Sequence, residues 1–313
     1  MSADAQFSAE TTEDGAWKRQ QSAFRQRVSS DPAAEFPAAA GRYHLYVCKA
    51  CPWAHRSMIV RMLKGLEETI AMTVVDPLRD EKGWRFGAGD QLTGDVDPLH
   101  GWTYLSEAYA ATDPDFDARV TVPVIWDTET DRIVNNESSE VIRILNSEFN
   151  AFARVPELDL YPADLREEID SVNEWVYSSI NNGVYRCGFA TSQEAYDEAF
   201  DDLFSGLDRV ERILADRRYL AGDVITEADW RLFTTLVRFD SVYVTHFKTN
   251  QRRLVDYERL WPYARELFQV PGIAATVDQD HIKRHYFMTH DRINPTAIVP
   301  RGPVVDWLEP HGR

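Results

Sequence analysis

The run Cys48-Lys49-Ala50-Cys51-Pro52 closes a β-rich hexamer and leads into residues with helical spacing. Pro52 suits a first helical position, so the Cys51 sulfur is expected at a helix N terminus. Unpaired N–H groups and the helix dipole favour a thiolate there, which makes Cys51 the candidate nucleophile for thiol exchange. In dithiol oxidoreductases with this strand, Cys-Pro and helix order, the fourth position of Cys-Pro-x-Cys supplies the resolving thiol. Here that position is Ala54, so the second thiol must come from a small molecule. Cys48 ends an extended strand, and three extended residues span about 10 Å, beyond disulfide reach unless the turn folds back. Cys187 follows Tyr185-Arg186 near a helix end and reads as structural, although it could line the site. His281 and His285 share a helix face at a metal-like spacing, but no acidic or third ligand accompanies them and no metal is expected.

The elements that position Cys51 form a recognisable order. Residues 43–48 (YHLYVC) read as a strand, and Ile59, Met62, Leu63 and Leu66 mark a helix that ends near Gly65. Residues 70–76 complete a βαβ unit. A polar insertion over 77–118 reads as loop anchored by aromatic residues. Residues 120–127 (VTVPVIWD) are a β-run interrupted by Pro123, the pattern of an edge or of a cis peptide at a functional turn. A short strand RIVN follows, and residues 135–139 (NNESS) start a helix with good capping residues. This is the thioredoxin-like order. Beyond residue 160 the strand signals stop, and residues 164–182, 192–216, 226–243 and 262–286 carry apolar residues at three- and four-residue spacing. Thr226-Glu227-Ala228-Asp229 has the form of a capping box.

The expected organisation is an irregular extension over residues 1–40, a thioredoxin-like domain over 41–155, an all-helical domain over 156–290 and an extended tail over 291–313. The 313 residues are 44% hydrophobic and 27% charged, with Lys+Arg 34 against Asp+Glu 51 and a net charge of −17. Such a balance repels phosphate backbones and anionic lipid, so nucleic acid and membrane partners are excluded. No apolar run approaches the ~20 residues of a membrane-spanning helix, and the N terminus lacks a leader pattern; a cytoplasmic protein is expected. Three cysteines are too few for a disulfide framework. The basic residues are 28 Arg and 6 Lys, a bias that a salt-adapted or high-GC source would produce.

The segments CPWAHR, TVPVIWD with NNESSE, NNGVYRCGFA and the late HY…INPTAIVPRGP resemble glutathionyl-hydroquinone reductases, the Xi class of glutathione transferases. The likeness runs from about residue 43 to 303, with its motifs in order. It implies a two-domain glutathione transferase fold, glutathione as substrate and reductant, quinone thioethers as partner substrates, and a homodimer. It further implies that Val122 offers backbone groups to the peptide part of glutathione. Ser138 and nearby amides would hold the γ-glutamyl carboxylate and Glu137 the ammonium, Trp84 would pack on the ligand, and Arg119 would pair with a carboxylate. Tyr185, Tyr243 and Tyr286 are carried over as phenols that converge on Cys51, with Tyr185 as the acid. The implied reaction is reductive removal of glutathione through a Cys51 mixed disulfide. The alternatives are a dehydroascorbate reductase or glutaredoxin-like thiol transferase, and a non-enzymatic transferase-like binding module.

Cys48 stands where the family pattern has a small or polar residue, so a dithiol variant is the alternative to a single-thiol site. Cys48→Ser is expected to keep most of the deglutathionylation rate; a collapse as deep as that of Cys51→Ala would establish the dithiol route.

Overall fold

The computed structural model describes residues 10–89 and 93–313, and the chain divides into two compact units. Among the described residues, the first comprises 21–89, 93–159 and Asp280–Thr289; the second comprises 10–20, Leu160–Gln279 and His290–Arg313.

In the first unit β1 (Tyr43–Val47) is buried along its whole length. It pairs in parallel with β2 (Ala71–Val74) and antiparallel with the edge of the Pro123 run. Short strands β3 (Arg79–Asp80) and β4 (Gly83–Trp84) make a separate hairpin. Strands β5 (Val124–Asp127) and β6 (Arg132–Asn135) complete a four-stranded sheet of order β2-β1-β5-β6. Helix α1 (Pro52–Leu63) buries nine consecutive residues from Pro52 to Val60, so its polar members His55, Arg56 and Ser57 are interior groups. Helix α3 (Ser138–Ser147) packs against α1. The insertion read as loop holds, besides the β3–β4 hairpin, helix α2 (Ser106–Thr112). That helix buries only Ala108 and Tyr109, too short an apolar face to register as periodicity.

The second unit is helical. Helix α4 (Arg166–Val176) runs into a π-helical turn (Tyr177–Asn181) and then α5 (Gly183–Phe189). Helix α6 (Gln193–Asp216) and α7 (Glu227–Arg238) follow, and α7 ends in a second π turn (Phe239–Tyr243) before the single turn α8 (Val244–His246). The continuous spacing read over 262–286 is two helices, α9 (Leu260–Gln269) and α10 (Gln279–Thr289). Pro271 cannot continue α9, and Gly272 takes φ +89°, a left-handed conformation suited to glycine, before a short 3₁₀ turn.

Of the segment read as an irregular extension over residues 1–40, the first nine residues lie outside the described ones; in the rest Trp17, Val28 and Phe36 are buried anchors. At the other end Trp307 packs against Trp261 and Phe268, and Gln269 donates to the carbonyls of Trp307 and Glu309.

The Thr226–Asp229 capping box forms. Asp229 is fully buried. Its carboxylate accepts from the Thr226 amide (2.8 Å) and hydroxyl (3.1 Å), the Leu220 amide (3.0 Å) and the Tyr263 hydroxyl (2.7 Å). Asp229→Ala strands the Leu220 and Tyr263 donors as well as removing the cap, and is expected to cost about 3 kcal/mol or more. The urea midpoint checks this, with Asp229→Asn losing less.

Candidate active site

Strand β1 ends at Val47 and β5 begins at Val124, with Tyr46 opposite Val124, so the turns that follow and precede them lie at the same end of the sheet. The first turn carries Cys51 and the second the cis Val122–Pro123 peptide, one of the two readings of the interrupted β-run. Cys51 is the N-cap residue of α1, with extended backbone (φ −76°, ψ 120°), no side-chain cap and Pro52 at the first helical position. Its thiol donates to the Val122 carbonyl, Sγ···O 3.7 Å. The Cys51 amide donates to the Cys48 carbonyl (3.1 Å), which shapes the turn.

The loop that carries Val122 is pinned from α2. The Tyr109 hydroxyl donates to the Thr121 carbonyl (2.8 Å) and accepts from the Thr121 amide (3.1 Å) and the Asn136 side-chain amide (3.0 Å). Arg119 is half-buried, and its charge acts on the Tyr109 phenol.

At the head of α3, Glu137 is the N-cap residue and Ser138 the first helical one, so the helix starts at Ser138 and its cap is the glutamate. One Glu137 oxygen accepts from the Ser139 amide (3.1 Å) and hydroxyl (2.8 Å); the other accepts from the Ser22 hydroxyl (2.9 Å). Burial would raise the Glu137 carboxyl, but these hydrogen bonds, with Arg56 close by, outweigh it and hold the group below the usual carboxylate range. Arg56, 2% exposed on α1, donates to the Ser138 hydroxyl (3.4 Å) and lies over the Trp53 ring at 4.4 Å.

Trp84, 4% exposed, has the Arg79 guanidinium 5.0 Å from its ring centre and stacks on His285 at 5.1 Å. The His285 Nδ1 is 2.6 Å from the Pro77 carbonyl. His285 thus ties α10 to the insertion that carries Trp84. Tyr286, its neighbour, is buried in the same unit. Among the described residues there is no group of three or more side chains suited to a metal ion.

Tyr185 and Tyr243 belong to the second unit, where their rings lie 6.2 Å apart. Tyr185 also stacks on Trp17 at 5.6 Å, and Tyr243 stacks on Phe247 at 5.4 Å. Tyr243 closes the second π turn, and Tyr185 lies one turn beyond the first. Bulges of this kind recur at functional sites.

Two family models match the chain: Glutathione S-transferase, N-terminal domain, over residues 50–148, and Glutathione S-transferase, C-terminal domain, over residues 193–266. The chain is 50% identical over 306 residues to the glutathionyl-hydroquinone reductase YqjG of Escherichia coli K12, covering 96% of this chain and 92% of that one. It belongs to the glutathionyl-hydroquinone reductase family. The corresponding reductase PcpF of Sphingobium chlorophenolicum is 51% identical over 270 residues, 86% of this chain and 85% of that one. Among solved structures, the glutathione transferase Xi of Phanerochaete chrysosporium superposes with a TM-score of 0.91 at 49% identity, covering 94% of this chain and 95% of that one. The glutathione-bound structure of YqjG gives 0.89 at 50% identity, covering 96% and 97%. The fold is therefore that of the Xi class, a thioredoxin-like domain followed by a helical one. No helix among the described residues is long and apolar enough to cross a membrane.

Four residues that touch these groups were not singled out from sequence: Trp53, Arg56, Tyr109 and Ser22. Arg56 carried a usable signal, a charge within a helix that is otherwise interior. Ser22 had none, because its partner lies 115 residues away.

The three thiols differ in access. Cys51 is half-buried, whereas Cys48 is fully buried and Cys187 is 2% exposed, with burial pushing its thiol up to about 12. Native protein at pH 8 is expected to take up one equivalent of iodoacetamide quickly, on Cys51, and three after unfolding. Mass mapping of the adducts checks this. Because the Cys187 value is raised in the folded state, its contribution to stability is complete below the free-thiol range and is lost as pH climbs towards 12.

Proposed function

We propose that this protein removes glutathione from glutathionyl-hydroquinones by thiol exchange at Cys51. The observation that carries the reading is the placement of one accessible sulfur at the start of α1, beside the Val122 carbonyl and with Ala54 where a resolving thiol would stand. The names of the relatives YqjG and PcpF support the same reaction.

In the first step the Cys51 thiolate attacks the sulfur of the glutathionyl thioether. The Cys51–sulfur bond forms, the sulfur–ring-carbon bond breaks, and the electron pair leaves with the ring carbon, which takes a proton from Tyr185. Free hydroquinone departs and Cys51 is left joined to glutathione. In the second step the thiolate of another glutathione attacks that disulfide at the glutathionyl sulfur, releasing oxidised glutathione and regenerating the Cys51 thiolate. The two electrons that reduce the ring carbon thus come from two glutathione molecules.

Glutathione is held, in this reading, by the residues grouped in the first unit. The Val122 backbone addresses the cysteinyl part, as an added strand would. The amides at the head of α3 and the Ser138 hydroxyl take the γ-glutamyl carboxylate, and Glu137 takes the ammonium. The hydrogen bonds to Glu137 support this role, since they keep it anionic and fix both oxygens before a ligand arrives. Trp84 packs on the tripeptide, Arg119 pairs with a carboxylate, and Tyr243 and Tyr286 bind the hydroquinone oxygens. A cytoplasmic location and a homodimer belong to the same proposal and rest on the family resemblance.

Cys51→Ala is expected to abolish hydroquinone release from glutathionyl-menadiol, at least 10³-fold, while glutathione still binds; near-normal turnover would remove the assignment. Tyr185→Phe is expected to slow the first step 10- to 100-fold and to leave reduction of a preformed Cys51–glutathione disulfide unchanged, as measured by stopped-flow mass analysis.

A further inference from the structure

A cavity of about 260 Å³ is lined by residues of the second unit, whereas the residues assigned to glutathione all belong to the first. Trp17 of the N-terminal segment, Phe189 and Thr191 at the end of α5, Lys248, Arg292 and Ile293 form its walls. The N-terminal segment is fastened beside it by two hydrogen bonds: the Thr191 amide donates to the Gly15 carbonyl (3.0 Å), and the Ser192 hydroxyl to the Asp14 carbonyl (2.8 Å).

The composition of this wall runs against that of the chain. Acidic residues outnumber basic ones 51 to 34 overall, yet two cations and no acidic side chain are among the described residues that line the cavity. Neighbouring cations are neutralised: Arg186 pairs with Glu198 and Asp202, Arg252 with Asp208, and Arg253 with Asp256. The Lys248 ammonium has no such partner among the described residues. Its backbone is held at φ +59°, a conformation uncommon for a residue with a side chain, by the Tyr196 hydroxyl on its carbonyl (2.7 Å) and the Thr249 amide on the Tyr243 carbonyl (3.2 Å). Local strain of this kind persists where the surroundings over-determine it, and it clusters at ligand sites.

We infer that this cavity is a second ligand site that takes a small aromatic acid, its ring against the paired Trp17 and Phe189 side chains, whose ring centres lie 6.0 Å apart, and its anionic group on Lys248 and Arg292. A cavity of about 150 Å³ accepts benzene, so the volume here suits one substituted ring. Aromatic walls supply the area, and two cations select an anion over a neutral isostere.

The probe is 4-hydroxybenzoate, with 4-hydroxybenzamide as its uncharged counterpart, titrated by calorimetry into the full-length protein. One equivalent of the acid is expected to bind, with the amide at least tenfold weaker. Cys51→Ala is expected to leave this binding unchanged, so it stands or falls apart from the thiol chemistry. The double variant Lys248→Gln/Arg292→Gln is expected to lose at least tenfold in affinity while deglutathionylation continues at its normal rate. Ala190→Phe, which fills the cavity without altering charge, is expected to abolish binding. Equal affinity for the amide, undiminished binding in the double or the filled variant, or displacement of the acid by glutathione would overturn the inference.

Discussion

The pairing of β1 with β5 is the constraint on which the site depends. Two loops far apart in sequence meet at one end of the sheet because Tyr46 lies opposite Val124. A slip of one residue in that ladder would turn every side chain of β5 to the opposite face and carry Val122 away from the start of α1. The register is secured at both ends. Arg42 makes a two-pronged contact with the buried Asp127 (2.8 and 2.7 Å), and Tyr109 grips Thr121 from the other side. The closeness of sulfur and carbonyl is a property of the sheet rather than of the loops.

A second layer of support comes from buried and half-buried polar groups of the first unit. Arg56 sits between Trp53 and Ser138, and Ser22 completes the shell around Glu137. A buried guanidinium and a half-buried carboxylate are tolerated only where hydrogen bonds replace lost water. Their presence beside the start of α3 marks that helix end as built for charge, in contrast to the apolar packing of α3 further along, where Val141, Ile142, Ile144 and Leu145 are buried.

What the sequence made legible was local. The β1–α1 junction, the cis Pro123 turn, the helix after Asn136 and the Thr226 capping box each carry their signal within a few residues. Long-range or weakly periodic features were hidden. Helix α2 has one large buried side chain, Tyr109, and nothing in SEAYAAT separates it from loop. The Ser22–Glu137 contact joins segments more than a hundred residues apart. Residues 262–286 kept their apolar spacing straight across Pro271-Gly272, so the break was readable from residue type and overridden by pattern. The aromatic anchors of the N-terminal segment, Trp17 and Phe36, stand singly and lack any period.

The two π turns fix the length of the chain that passes through them. Each is one residue longer than a regular helix over the same rise, which turns everything beyond it by about 100° about the axis. Tyr185 and Tyr243 face each other after one such offset apiece. Loss of a single residue from 177–181 or 239–243 would make a more regular helix and disperse the phenols onto different faces. In these two stretches the geometry depends on the number of residues more than on their side chains.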